Sequence, residues 1–117
     1  MRRTPLMVAT AALTVVACSS DDPVTPPQTA PQTAAVTAEA NANAFTPPSV
    51  TIARGGTVTW SFATRPHNVV FRPAPGAPAD STGFITNAQV ARTFATAGTF
   101  VYDCTVHPGM NGRVTVQ

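Results

Sequence analysis

The fold is decided by the stretch Val50-Thr-Ile-Ala-Arg-Gly-Gly-Thr-Val-Thr-Trp-Ser-Phe62. In its first part, valine and isoleucine alternate with threonine and alanine. In its second part, valine, tryptophan and phenylalanine alternate with threonine and serine. A period of two is typical of a β-strand with one buried face. The stretch therefore predicts two strands, and Arg54-Gly55-Gly56 between them predicts a hairpin turn.

The sequence that follows predicts more strands and no helix. Strand patterns cover residues 67–71, 89–94, 99–104 and 112–116, whereas the proline- and glycine-rich residues 72–83 predict a loop. Short strands separated by frequent turns favour a sandwich. We therefore expect an all-β fold, a Greek-key antiparallel β-sandwich, formed by a domain at 35–117. A domain of this size has a small core, which a bound metal would help to stabilise.

The N-terminal segment has the features of a secretion signal. Met1-Arg-Arg3 is positively charged, and Leu6 to Ala17 is apolar. This apolar stretch is shorter than the roughly 20 residues that span a bilayer, so residues 1–17 are predicted to be a signal peptide. Val15-Val-Ala-Cys18 resembles a bacterial lipobox, which predicts lipidation of Cys18. An ordinary signal peptide cleaved elsewhere is the alternative.

Residues 18–34 predict a disordered tether. They are rich in proline, serine and threonine and have no apolar periodicity. Such a composition favours extended backbone and cannot bury a core. With the signal peptide, the tether predicts an extracytoplasmic domain, periplasmic or at the cell surface and anchored to a membrane through lipid.

The balance of charged residues bears on whether the protein binds nucleic acid. All seven basic residues are arginine, and without Arg2 and Arg3 five arginines balance five acidic residues. A nucleic-acid partner is not expected, because such partners usually need a basic face. We expect a monomer with five solvated arginines: Arg54, Arg65, Arg72, Arg92 and Arg113.

Four residues predict a metal site. The chain has two histidines, His67 and His107. After Cys18, it has one cysteine, Cys104, and one methionine, Met110. A thiolate, two imidazoles and a thioether form the ligand set of type 1 copper. Zinc is a weaker alternative because thioether is a poor zinc ligand. A Cys18–Cys104 disulfide is another, but it leaves the histidines unexplained.

The spacing of these residues suits a common site. Cys104 is predicted to end a strand, and Pro108 and Gly109 favour a tight turn after it. That turn would return His107 and Met110 toward the cysteine. We expect His67 to approach from the opposite sheet, so that the metal would join the two layers.

Two motifs resemble the plastocyanin/azurin family of cupredoxins. They are Pro66-His67-Asn68-Val-Val-Phe71 and Tyr102-x-Cys104-x-x-His107-Pro-Gly-Met110, with a short ligand loop similar to that of amicyanin. The resemblance implies copper binding through Nδ1 of both histidines, a strong Cys104 bond and a long axial contact from Met110. It also implies that Asn68 braces the cysteine loop and that electrons leave through the edge of His107.

One position departs from the plastocyanin pattern. Asp103 stands where plastocyanins often carry a tyrosine, so a plastocyanin-type docking mode is not expected. The predicted function is a type 1 copper protein that carries one electron between extracytoplasmic partners, such as a cytochrome or an oxidase or dehydrogenase. A copper-delivery protein without redox turnover is the alternative. An enzyme is not expected, because a second copper centre would need further histidines.

Overall fold

The computed structural model describes residues 29–117. The predicted signal peptide 1–17, Cys18 and the tether as far as residue 28 lie outside the described residues. Within 29–117, no helical segment has the length and apolar character needed to cross a bilayer. Nine strands form the fold: β1 Thr33–Ala38, β2 Phe45–Thr46, β3 Ser49–Ile52, β4 Thr57–Phe62, β5 His67–Phe71, β6 Ser81–Ile85, β7 Ala88–Thr93, β8 Gly98–Asp103 and β9 Asn111–Val116.

Two sheets form the sandwich that the sequence predicts. One has the strand order β2-β1-β4-β7, and the other has the order β3-β9-β8-β5-β6. The sheets are mixed and not purely antiparallel, because β1 pairs with β4 and β3 pairs with β9 in parallel. Local patterning indicates which face of a strand is buried but not the direction of its neighbour, so the sequence could not show these two parallel pairs.

The predicted hairpin at residues 54–56 is wrong. Strands β3 and β4 lie in different sheets, so the segment between them crosses from one layer to the other. Other strand ends hold this crossover: the Arg54 amide donates to the Gln117 carbonyl and the Gly55 amide donates to the Phe94 carbonyl. A glycine-rich segment between two alternating strands predicts a change of direction, but it does not say whether the strands pair with each other.

Strands β1 and β6 have weak sequence signals. β1 begins at Thr33, two residues before the predicted start of the domain, and it contains mostly alanine and threonine. β6 overlaps the predicted loop 72–83 and lies at a sheet edge, where it buries Ser81 while Phe84 is exposed. Such strands are ordered by pairing with neighbours and not by their own apolar pattern.

Aromatic side chains fill the space between the sheets. The Trp60 ring of β4 packs edge-on against Tyr102 of β8 at 5.2 Å and against Phe71 of β5 at 6.0 Å between ring centroids. The core contains five buried aromatic residues besides Phe45 and Tyr102: Trp60, Phe62, Phe71, Phe94 and Phe100. Edge-on packing of these large rings joins the two layers and gives the strand ends near residues 67 and 104 a rigid base.

Candidate metal centre

Neighbouring strands of the five-stranded sheet position the first two candidate ligands. His67 is the first residue of β5, and Cys104 directly follows β8. β5 and β8 pair with each other, so the expectation that His67 approaches from the opposite sheet is wrong. Sequence separation alone cannot tell which strands become neighbours, and here a long crossover brings β5 beside β8.

A short closed loop places the other two candidates. The Cys104 amide donates to the Met110 carbonyl at 2.8 Å, and the Met110 amide donates to the His107 carbonyl at 3.2 Å. Gly109 has a φ of 84°, with Pro108 before it. Proline followed by a glycine with positive φ is typical of a type II turn. The loop therefore returns Met110 to the cysteine and holds His107 between them.

The donor atoms of three candidates converge. Cys104 Sγ lies 3.8 Å from His67 Nδ1 and 3.7 Å from His107 Nδ1, and the candidate donor atoms of these three residues all lie within 4.8 Å of one another. Imidazole and thiolate bonds of about 2.0 and 2.3 Å, the lengths that zinc takes, would separate two donors by about 3.7 Å at a trigonal angle. The spacing therefore fits one metal ion held by both Nδ1 atoms and the sulfur.

The fourth candidate is enclosed with the cysteine. Met110 is 1% exposed and Cys104 is 3% exposed, and both belong to the buried core. Within the described residues Cys104 forms no disulfide. Two buried sulfur-containing side chains, with two imidazoles as the other candidate ligands, favour a soft metal such as copper over magnesium or calcium, which prefer oxygen ligands.

His67 is fully buried, and its surroundings favour the neutral imidazole. Burial lowers its pKa, and the nearby His107 and Arg65 lower it further. The Glu39 backbone acts in the opposite direction and raises the pKa of His67. Within residues 29–117, however, the buried His67 Nε2 has no hydrogen-bond partner. A neutral imidazole is the form that binds metal, so this environment favours metal binding over protonation.

Asn68 joins β5 to the ligand loop. Its side-chain Nδ2 donates to Thr105 Oγ1 at 2.7 Å, and its Oδ1 accepts from the Thr105 backbone amide at 2.8 Å. Asn68 is itself 4% exposed. The bond that Asn68 accepts holds the backbone directly after Cys104, and the bond that it donates holds the Thr105 side chain. The family resemblance implies bracing of this kind.

Two arginines near the site have partners that the sequence did not predict. Arg72 forms a two-contact ion pair with Asp103, at 2.8 and 3.0 Å, and this contact lowers the pKa of the Asp103 carboxyl. Arg65 Nε donates to His107 Nε2 at 3.1 Å. Expecting these side chains to be merely solvated was therefore incomplete. The one available signal for Arg65 was its position two residues before His67.

Comparisons with known proteins agree with this geometry. A family model described as copper binding proteins, plastocyanin/azurin family, matches residues 32–117. Amicyanin-alpha of Methylorubrum extorquens is 40% identical over 76 residues, which cover 62% of this chain and 64% of that relative. Plastocyanin of Scenedesmus fuscus is 42% identical over 89 residues, which cover 67% of this chain and 91% of the relative.

Solved structures give the same result for the fold. A mutant fern plastocyanin matches with a TM-score of 0.64 and 27% identity, covering 72% of this chain and all of the other. A Cu(I) mutant of amicyanin matches with a TM-score of 0.62 and 30% identity, covering 74% of this chain and 83% of the other.

The family match spans most of the chain, and the described site agrees with it. Copper is the cofactor that the two imidazoles, the buried thiolate and the buried thioether fit. Proteins of this kind are in general copper-binding electron carriers and not enzymes. The chain belongs to the plastocyanin/azurin family of copper-binding proteins.

Proposed function

We propose that this chain carries single electrons between extracytoplasmic redox proteins, with copper held by His67, Cys104, His107 and Met110. The observation that carries the proposal is the pair of Sγ–Nδ1 distances, 3.8 and 3.7 Å, around a buried cysteine. Bound copper supplies a one-electron couple between Cu(I) and Cu(II). The Met110 thioether would serve as a further, weaker ligand.

The protein's own contribution is a frame that changes little between the two oxidation states. Cys104 follows a paired strand and is tied to Met110 through its backbone amide. Asn68 fixes the next residue, and His67 is buried at the start of β5. Restrained ligands move little when the charge on the metal changes, and a small rearrangement favours rapid electron transfer.

Exposure supports His107 as the group through which electrons pass. His67 is fully buried, whereas His107 is partly exposed. Asp103, next to the cysteine, is occupied by its ion pair with Arg72. A partner that contacts the exposed part of His107 contacts a candidate metal ligand directly. At position 103, by contrast, the chain has an aspartate and no aromatic ring through which electrons could enter.

We also propose that the domain works as a monomer on a lipid anchor. The supporting observations are the signal-like residues 1–17, the lipobox-like Cys18 and the proline-rich segment before β1. Extended, residues 19–32 would reach roughly 40 Å, since polyproline-like backbone rises about 3.1 Å per residue. Such a tether would hold His107 clear of lipid headgroups and leave it free to meet a cytochrome or an oxidase or dehydrogenase.

Two cysteine substitutions separate the two parts of the proposal. Copper-loaded, oxidised protein should be intensely blue, and Cys104→Ser should lose the visible band while Cys18→Ser keeps it. In bacterial membrane fractions the result should be reversed: Cys18→Ser should become soluble while Cys104→Ser stays with the membrane. A blue Cys104→Ser protein would overturn the ligand assignment, and a membrane-bound Cys18→Ser protein would overturn the anchor.

Copper retention tests electron transfer against copper delivery. An electron carrier should keep its copper through repeated reduction and oxidation in the presence of a Cu(I) chelator. Buried Cys104 and Met110 favour retention. Rapid loss of Cu(I) to the chelator during the first reduction would instead support a delivery protein.

A further inference from the structure

Arg65 lies against the outward-facing side of the His107 ring. Its Nε is 3.1 Å from His107 Nε2, and both residues are partly exposed. Arg65 belongs to the short segment between β4 and β5, and only Pro66 separates it from His67. The backbone that positions the buried histidine therefore also places a guanidinium beside the exposed one.

Nothing described neutralises this charge. Across residues 29–117 the single ion pair is Arg72–Asp103, and the contact with His107 is the only hydrogen bond that Arg65 makes there. Besides Arg72 and Asp103, which pair with each other, Glu39 is a charged residue whose backbone lies near the site. It is close to His67 and forms no ion pair with Arg65. The exposed edge of His107 therefore carries a fixed, unpaired positive charge.

Metal binding would leave the guanidinium without an acceptor. A histidine that binds metal through Nδ1 carries its ring hydrogen on Nε2, so Nε2 then donates and no longer accepts. Arginine has five N–H donors and no acceptor. In the loaded protein the donors of Arg65 must therefore find oxygen atoms in water or on a partner.

We propose that Arg65 determines partner specificity at His107 by selecting a redox protein that presents carboxylate groups around its own electron-exchange site. The inference rests on the proposed electron-carrier function. A partner surface that covers His107 must also cover Arg65, and burying an unpaired guanidinium is costly. Carboxylates remove that cost by forming two-contact pairs with it, and they also speed the encounter. A basic surface would be repelled.

Small redox complexes of opposite charge test this role. Stopped-flow oxidation rates at low ionic strength are measured with the anion hexacyanoferrate(III) and with a cationic cobalt(III) complex, each of which accepts one electron. The protein starts in its reduced, Cu(I)-loaded form, and the return of the blue band reports its oxidation. Arg65→Gln should slow the reaction with the anion by about 3- to 10-fold and speed the reaction with the cation. Arg65→Lys should restore most of the wild-type rates. A change in both rates in the same direction would overturn the proposal, since it would indicate a structural effect.

Arg54→Gln is the matched control. Arg54 is exposed in the crossover between β3 and β4, and β4 leads from there toward the site, so this substitution removes the same charge at the opposite end of the domain. Its rates should stay within twofold of wild type with both complexes. Equal effects of Arg54→Gln and Arg65→Gln would show that only net charge matters and would overturn the proposal.

A binding measurement gives a readout without electron transfer. Redox-inert, paramagnetic hexacyanochromate(III) added to copper-free and Cu(I)-loaded protein should broaden NMR signals around His107. The broadening should disappear in Arg65→Gln and persist in Arg54→Gln, and persistence in Arg65→Gln would overturn the proposal. A wild-type protein that is not blue and reacts with neither complex would instead refute the electron-carrier function and this inference with it.

Discussion

Replacing Asn68 with alanine should destabilise the domain through the loop that follows Cys104. The Asn68 side chain is buried and makes two hydrogen bonds to Thr105, one to the hydroxyl at 2.7 Å and one from the backbone amide at 2.8 Å. Alanine removes both and leaves the Thr105 amide without its partner. The change therefore tests whether this amide holds the ligand loop in place.

The expected loss follows from the two bonds. A typical hydrogen bond contributes about 1 kcal/mol net, and a buried amide left unsatisfied costs about 1–3 kcal/mol. The Thr105 hydroxyl can turn to water because this residue is exposed. Asn68→Ala should therefore lower the free energy of unfolding by about 2–3 kcal/mol, which corresponds to a Tm about 10–20 °C lower in a domain of this size.

Urea unfolding of copper-free protein measures this loss, and Thr105→Val is the matched control. Valine removes the hydroxyl acceptor and leaves Asn68 Nδ2 unpaired, but it keeps the backbone amide bond to Asn68, so it should cost less, about 1–2 kcal/mol. An Asn68→Ala protein no less stable than Thr105→Val would refute the reasoning. The visible spectrum of the loaded variants adds a second readout, since a loosened Cys104 should shift or weaken the blue band.

Three further substitutions test the packing and the turn, each by urea unfolding. Gly112→Ala should cost about 1–3 kcal/mol, because the new Cβ would collide with the buried Tyr102 ring; wild-type stability would contradict that contact. Gly109→Ala should cost about 1 kcal/mol from its φ of 84° alone, since the space around it is open, and a neutral result would argue against the turn. Phe84→Ser should change stability by less than about 0.5 kcal/mol, because the ring is 79% exposed, whereas a larger loss would show that the ring packs.

Phe84 lies on an uncharged surface beside the ligand loop. It is the one large hydrophobic side chain among residues 29–117 that is mostly exposed. With Asn68, Gly83, Thr105 and Val106 it lines a groove of about 430 Å³. The groove contains no charged side chain, so the charge of Arg65 is the stronger discriminator between partners.

The sequence by itself determined the fold class and the set of residues at the site. Alternation in residues 50–62 predicts strands with one buried face, and the scarcity of histidine, cysteine and methionine leaves few possible ligand sets. The turn formed by Pro108 and Gly109 was also readable, because proline and glycine favour a local backbone geometry that depends little on the rest of the chain.

Only the tertiary structure decided which strands are neighbours and which charges meet. The segment at 54–56 crosses between sheets, and His67 and Cys104 come from paired strands of one sheet. The contacts of Arg65 with His107 and of Arg72 with Asp103 join residues far apart in sequence. Burial of one face sets a local period of two, whereas pairing depends on packing across the whole core, which no single segment encodes.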